Sequence, residues 1–179
     1  MPLRLDRTRR RFLGSGLAAC AIFAAAPARA VYAPRTLDFL NLHTDEHAAI
    51  TYWADGNYLG DALREINWVL RDHRTNEILP IDTALLDLLH RLKQRLETTA
   101  PFHVISGYRS PATNAKLAEA GHGVAPMSLH TEGRAIDIRI PNRNLMTVRA
   151  AALSLEAGGV GYYPKSEFVH VDVGRVRMW

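Results

Sequence analysis

Ser128-Leu129-His130-Thr131-Glu132-Gly133-Arg134-Ala135-Ile136-Asp137-Ile138-Arg139-Ile140 is the stretch around which the chain is organised, and Phe168-Val169-His170-Val171-Asp172-Val173 is its counterpart further on. Successive strand side chains point to opposite faces, so Ile136, Ile138 and Ile140 share one face and leave Asp137 on the other with Ala135 and Arg139. The second run repeats the pattern, with Val169, Val171 and Val173 on the buried side and Phe168, His170 and Asp172 opposite. If the two runs are neighbouring strands, and the segment ahead of the first brings His130 over the sheet, then His130, Asp137 and His170 converge. Two imidazoles and one carboxylate with one position left open form the ligand set of a catalytic zinc site. The plainer reading makes the Asp a hydrogen-bonded surface group and each His a structural side chain, and periodicity alone does not separate the two.

Outward from these runs the chain reads as short strands mixed with helices. Phe102-His103-Val104-Ile105-Ser106 is expected to be a buried strand, and Ser110-Pro111 to open a helix with Ser at the N-cap and Pro in the first turn. Arg109 falls at that strand-to-helix junction. Asp61 to Arg71 is expected to be a helix with Leu63, Ile66, Val69 and Leu70 on its apolar stripe. Asp82 should cap a longer helix running to about Thr98, with Leu85, Leu86, Leu89 and Leu92 turned inward. Arg35 to His43 reads as a strand, Leu145 to Glu156 as a helix, Gly158-Gly159 as a turn, and 121–126 as a flexible loop. No internal repeat or second domain is visible. His43-Thr44-Asp45-Glu46-His47 formally matches the H-x-x-E-H of inverted zincins, which requires a helix with both His on one face. The residues before it look strand-like, so the alternative is a loop pinned by local hydrogen bonds.

The N-terminal segment accounts for the basic balance of the whole chain. Thr8-Arg9-Arg10-Arg11-Phe12-Leu13 fits a twin-arginine export signal, followed by an apolar run from Leu17 to Pro27 and an Ala28-Arg29-Ala30 cleavage site. That run is shorter than the roughly 20 residues a spanning helix needs, so no stable membrane span is expected. The domains are therefore read as 1–30, the signal peptide, and 31–179, one globular domain. Removing the signal takes away six Arg and one Asp, leaving 16 basic and 17 acidic residues, a balance that gives no reason to expect nucleic acid as a partner. Leu17-Ala18-Ala19-Cys20 is an alternative lipoprotein processing site, which would anchor the chain through a lipid at Cys20. With cleavage at Ala30 no cysteine is left, which excludes disulfides and thiolate metal sites.

Ile105-Ser106-Gly107-Tyr108-Arg109-Ser110-Pro111, the run from Ser128 to Asp137, and Phe168-Val169-His170-Val171-Asp172 resemble the three signature blocks of the zinc D-Ala-D-Ala peptidase (LAS) superfamily, which shares its fold with the hedgehog signalling domain. Within it the chain is most similar to the periplasmic murein endopeptidases, through Leu42-His43-Thr44 and the Gly-Gly-Val-Gly-Tyr-Tyr-Pro that ends at Pro164. The resemblance implies an α+β single domain with a small central antiparallel sheet flanked by helices. It also implies a Zn2+ cofactor held by His130, Asp137 and His170, with Arg109 and Ser128 in the substrate cleft.

A peptide bond also needs a base to move the proton of the attacking water. Glu167, three residues before His170, matches the family spacing of that base, although strict alternation puts it on the face opposite His170. Asp172 is the rival on the ligand face, and would otherwise orient a ligand imidazole. The implied function is a metalloprotease that hydrolyses peptide cross-links of peptidoglycan during cell-wall remodelling. The implied location is the periplasm, reached through the twin-arginine translocase. The alternatives are a D,D- or L,D-carboxypeptidase trimming stem peptides, an inactive cell-wall-binding module of the same fold, and a protease built on His43 and His47.

Overall fold

The isoleucine and valine alternation is satisfied by pairing the two quoted runs side by side. In the computed structural model, which describes residues 33–121, 125 and 127–179, they form strands β5 (Ala135–Arg139) and β7 (Phe168–Asp172). These pair antiparallel with Ile136 opposite Val171 and Ile138 opposite Val169. The expected export signal, its cleavage site and the alternative processing site at Cys20 lie outside the described residues.

Around this pair the remaining strands are β1 (Arg35–Asn41), β2 (His47–Ala54), β3 (Asn57–Tyr58), β4 (Phe102–Ser106), β6 (Gly159–Tyr163) and β8 (Arg177–Met178). They make one eight-stranded sheet in the order β3-β2-β1-β4-β5-β7-β6-β8. This corrects the expected small antiparallel sheet, because β1 with β4 and β6 with β8 run parallel. Parallel neighbours require a long crossover, and the one between β1 and β4 carries the β2–β3 hairpin and two helices. The hairpin turns on Asp55-Gly56, both with positive φ (50° and 84°), the two-residue geometry that matches strand twist.

The helices are α1 (Gly60–Val69), α2 (Thr83–Arg95), α3 (Pro111–Glu119) and α4 (Leu145–Leu153). The last three start where their capping residues predict, whereas α1 follows Leu59 without a side-chain cap. The Asp82 side chain accepts from the Ala84 N–H, Ser110 from Thr113, and Asn144 from Met146. α2 and α4 end earlier than expected, and the backbone turns left-handed just beyond them at Glu97 and Glu156. Leu85, Leu86, Leu89 and Leu92 of α2 and Ile66 of α1 are fully buried with Leu37 and Phe39 of β1, Phe102 of β4 and the β5 isoleucines. Burial on this scale is the main favourable term of the fold, at roughly 1.5–3 kcal/mol for each large apolar side chain. Among the described residues no helix is long and apolar enough to cross a membrane.

The turn between β4 and α3 is clamped onto the end of α1. The Tyr108 N–H donates to the Leu70 carbonyl at 2.8 Å. A Cβ at Gly107 would stand 2.5 Å from that carbonyl oxygen, so only glycine allows the approach. Buried Asp72 completes the clamp, accepting from the Ser110 N–H and the Arg74 N–H, both at 2.9 Å. Burial alone would raise the Asp72 pKa, but hydrogen bonds from Thr113, Ser110 and Arg74 outweigh it and hold the carboxyl below the usual carboxylate range.

A carboxylate whose folded pKa is depressed contributes stability above its unfolded pKa and loses that contribution as the pH falls through its folded pKa. Denaturant unfolding with chelator present should therefore show wild-type stability declining below about pH 4, and Asp72→Asn should be less stable at neutral pH with a shallower acid decline. Parallel acid profiles for the two proteins would show that Asp72 is not the clamp.

Candidate active site

Strand pairing sets the first two groups of the site. Asp137 on β5 lies directly opposite His170 on β7, and Asp137 Oδ1 is 2.8 Å from His170 Nδ1. The 3-10 turn Leu129–Glu132 lowers His130 onto them, placing its Nε2 3.2 Å from both His170 Nδ1 and Asp137 Oδ1. All three side chains are buried, at 2, 5 and 8% exposure for His130, Asp137 and His170. Among the described residues this is the one cluster of His, Cys, Asp or Glu able to hold a metal ion.

The outward nitrogens decide what faces inward. His130 Nδ1 donates to the Gly107 carbonyl at 2.7 Å, and His170 Nε2 donates to Asp172 Oδ2 at 3.1 Å. With those protons engaged and both rings neutral, His130 Nε2, His170 Nδ1 and Asp137 Oδ1 present lone pairs to one another. Three such acceptors about 3 Å apart repel unless a cation lies among them, and their spacing is close to that set by metal bonds of about 2.0–2.1 Å. The donor set therefore fits a divalent ion. Burial works against charge here, yet His130 and His170 hold the Asp137 carboxyl below the usual carboxylate range, while Asp137 and Asp172 push the His170 pKa up.

Of the expected site residues, Arg109 and Ser128 line the same cleft as His130, Asp137 and His170, a space of about 330 Å³. A register shift in β4 between Val104 and Ser106 sets Ser106 opposite Asp137, and bulges of this kind re-aim side chains at sites. Arg109 then sits 3.6 Å from Asp137 Oδ2, 3.4 Å from Ser106 Oγ and 3.4 Å from Asn114 Oδ1. Its Nε is buried without an acceptor among the described residues. Burial lowers the Arg109 pKa against the opposing pull of Asp137.

The two candidate bases differ sharply in placement. Asp172 is fully buried behind His170, and its oxygens are taken up by the N–H groups of Gly159 and Gly174, the guanidinium of Arg177 and His170 itself. Glu167 lies in the β6–β7 turn with φ 55°, exposed, and pairs with Arg139 at 3.3 Å. Its left-handed backbone belongs to the turn, so strand alternation does not fix the side of the sheet on which Glu167 stands. It does not line the cleft.

His43, Glu46 and His47 do not come together. His43 stacks on His73 and bonds to the Ile105 carbonyl, Glu46 pairs with Arg71, and His47 opens β2 beside Asp38. The inverted-zincin reading fails because the segment is a turn between strands and not a helix. A larger surface cleft of about 620 Å³, lined among others by Arg35, Trp53, Asp87 and His90, carries no metal-ligating cluster among the described residues.

Sequence reasoning missed one wall of the site. Tyr163, Phe168, Arg177 and Trp179 line the cleft across from Arg109 and Ser128. Reading Gly158-Gly159 as a turn hid β6. The Val160, Tyr162 and Tyr163 side chains were the available strand signal, whereas nothing local announces that β8 returns beside β6.

Residues 29–179 match the family model described as Peptidoglycan L,D-endopeptidase MepK, of the M15 peptidases. The chain is 43% identical over 180 residues to the protein of that name in Escherichia coli K12, covering 98% of this chain and 99% of the relative. It is 40% identical over 147 residues to a Haemophilus influenzae protein named "Probable peptidoglycan L,D-endopeptidase MepK", covering 82% of this chain and 79% of the relative. The chain thus belongs to this family of M15 peptidases.

Asp172 fixes the tautomer of His170 from behind, and such partners typically contribute a factor of 10–100 in metal affinity. Asp172→Asn keeps the shape but removes the charge, so its affinity for a divalent ion, measured by competition with a chromophoric chelator, should fall by about that factor with secondary structure retained. Unchanged affinity would mean that His170 is held by β7 alone.

Proposed function

We propose that the chain is a zinc-dependent murein endopeptidase that hydrolyses peptide cross-links of peptidoglycan outside the cytoplasm. The observation that carries this reading is the convergence of three buried lone-pair donors at the base of a cleft whose next residue is Arg109, with spare donor capacity. The donor set suits zinc, being nitrogen and oxygen only, three protein ligands with one side open. A zinc ion held by His130, Asp137 and His170 supplies Lewis-acid chemistry, acidifying water and polarising a peptide carbonyl. The name carried by the relatives makes an L,D cross-link the first bond to test.

The protein's own groups divide the remaining work. Arg109 offers a planar guanidinium to a substrate carbonyl or carboxylate, which stem peptides supply in number. Ser128 forms the cleft wall ahead of His130. Asp172 has no free oxygen for proton transfer, so we assign the base to Glu167, whose carboxylate is exposed beside the cleft residue Phe168 and, among the described residues, is held by Arg139. Its Oε atoms take the proton of the attacking water and return it to the leaving amine. Hydrogen bonds of catalytic groups often tighten only when substrate binds, so its present distance from the cleft is compatible with that role.

Digestion of defined cross-linked muropeptides, with products read by mass spectrometry, tests the function. Wild type should cleave, and His170→Ala should lose both bound zinc and cleavage. Arg109→Ala should lose about 2–3 kcal/mol of transition-state binding, roughly a hundredfold in kcat/KM, and Arg109→Lys should recover only part of it. Undiminished zinc in folded His170→Ala, or cleavage at the normal rate by Arg109→Ala, would refute the corresponding assignment.

We further propose delivery by the twin-arginine route, because Thr8 to Leu13 fits that signal. Replacing Arg9 and Arg10 with Lys should strand the precursor in the cytoplasm, as fractionation and immunoblotting would show. Unchanged export would count against this route.

A further inference from the structure

The cleft wall opposite Arg109 is built to aim one hydroxyl. Gly161 of β6 pairs with His170 of β7 and leaves an empty place that Trp179 fills. A Cβ at Gly161 would stand 2.7–2.8 Å from the indole ring, so no other residue permits this contact. The indole is fixed at both levels. The Trp179 backbone extends the β6–β8 pairing, donating to the Val160 carbonyl and accepting from the Tyr162 N–H. Its ring lies 5.2 Å from that of His170.

So placed, Trp179 Nε1 donates to the Tyr163 hydroxyl oxygen at 2.7 Å. The Tyr163 ring is stacked on Phe168, its cross-strand partner, at 4.5 Å and 19°. The ring plane is set by the stack and one lone pair of the oxygen by the indole. A phenol has one proton to donate, and among the described residues that proton has no acceptor. Both side chains line the cleft together with Arg109.

We propose that Tyr163 is a substrate-contacting residue whose hydroxyl donates a hydrogen bond to an oxygen of the stem peptide, with Trp179 as the positioning residue that aims it. The inference rests on the peptidase reading above and adds a second donor facing Arg109. Both donors then grip the same substrate from opposite walls, and neither touches the other's partner. The indole contributes by holding the phenol oxygen as an acceptor, which leaves the phenol no alternative but to donate outward.

The test uses the zinc-loaded protein and a cross-linked dimeric muropeptide. Tyr163→Phe keeps the stack and removes only the hydroxyl. Its kcat/KM should fall about tenfold, with zinc content and thermal stability unchanged. Trp179→Phe should lose less, and nothing further should be lost when it is added to Tyr163→Phe, because the indole acts through the hydroxyl. A fall in kcat assigns the acceptor to the reacting carbonyl, and a rise in KM assigns it to a group bound equally before reaction. Binding of the same muropeptide to zinc-free protein by calorimetry separates this inference from the function. If wild type cleaves nothing, weaker binding by Tyr163→Phe still supports the contact and equal binding overturns it. With an active wild type, a Tyr163→Phe kcat/KM within about twofold of it, or strictly additive losses in the double variant, overturns the proposal.

Discussion

The register between β5 and β7 is the constraint on which the site depends. Asp137 meets His170 because Ile136 and Ile138 must both face the core opposite Val171 and Val169. A slip of one residue would turn the two core side chains of the slipped strand outward and separate Asp137 from His170 in the same motion. The hydrophobic pattern and the ligand geometry are therefore enforced by one choice of pairing. Burial of apolar side chains supplies the free energy, and the ligand pair is carried along with it.

Holding two carboxylates and two imidazoles in so small a volume needs compensating charge. Asp137 is faced by Arg109 and Asp172 by Arg177, so the fixed charges of the site cancel before any ion is added. This explains why buried carboxylates are tolerated at all, since an unpaired one would cost several kcal/mol. It also separates their roles. The Arg177–Asp172 pair is tied into the backbone by Gly159 and Gly174 and is structural, whereas Arg109 keeps an Nε without an acceptor among the described residues and lines the cleft.

The centre of the sheet was legible in the sequence because alternation of Ile and Val is a local signal that the fold obeys. The convergence of His130, Asp137 and His170 follows from it together with the Ser128–Gly133 turn. The sheet margins were not read, although Asp55-Gly56 after Ile50-Thr51-Tyr52-Trp53 is a hairpin signal that marks β2 and β3. Two features lie beyond local pattern. Glu167 escapes strict alternation because its left-handed backbone belongs to the turn, and Trp179 reaches the site through a parallel pairing that no short window of sequence encodes.

The tight turn Gly107–Ser110 joins the two halves of the site. Its Gly107 carbonyl orients His130, the Arg109 N–H in return donates to the His130 carbonyl at 3.1 Å, and the Arg109 side chain enters the cleft. The turn is itself fixed to α1 through Leu70 and Asp72. The His130 imidazole and the Arg109 guanidinium thus share one rigid support. Rigid support of this kind keeps reacting groups in register to within a fraction of an ångström, which is what catalysis by positioning demands. The opposite wall achieves the same end through Gly161 and the Trp179 ring. Both sides of the cleft therefore rely on a glycine that admits a neighbour too close for any other residue.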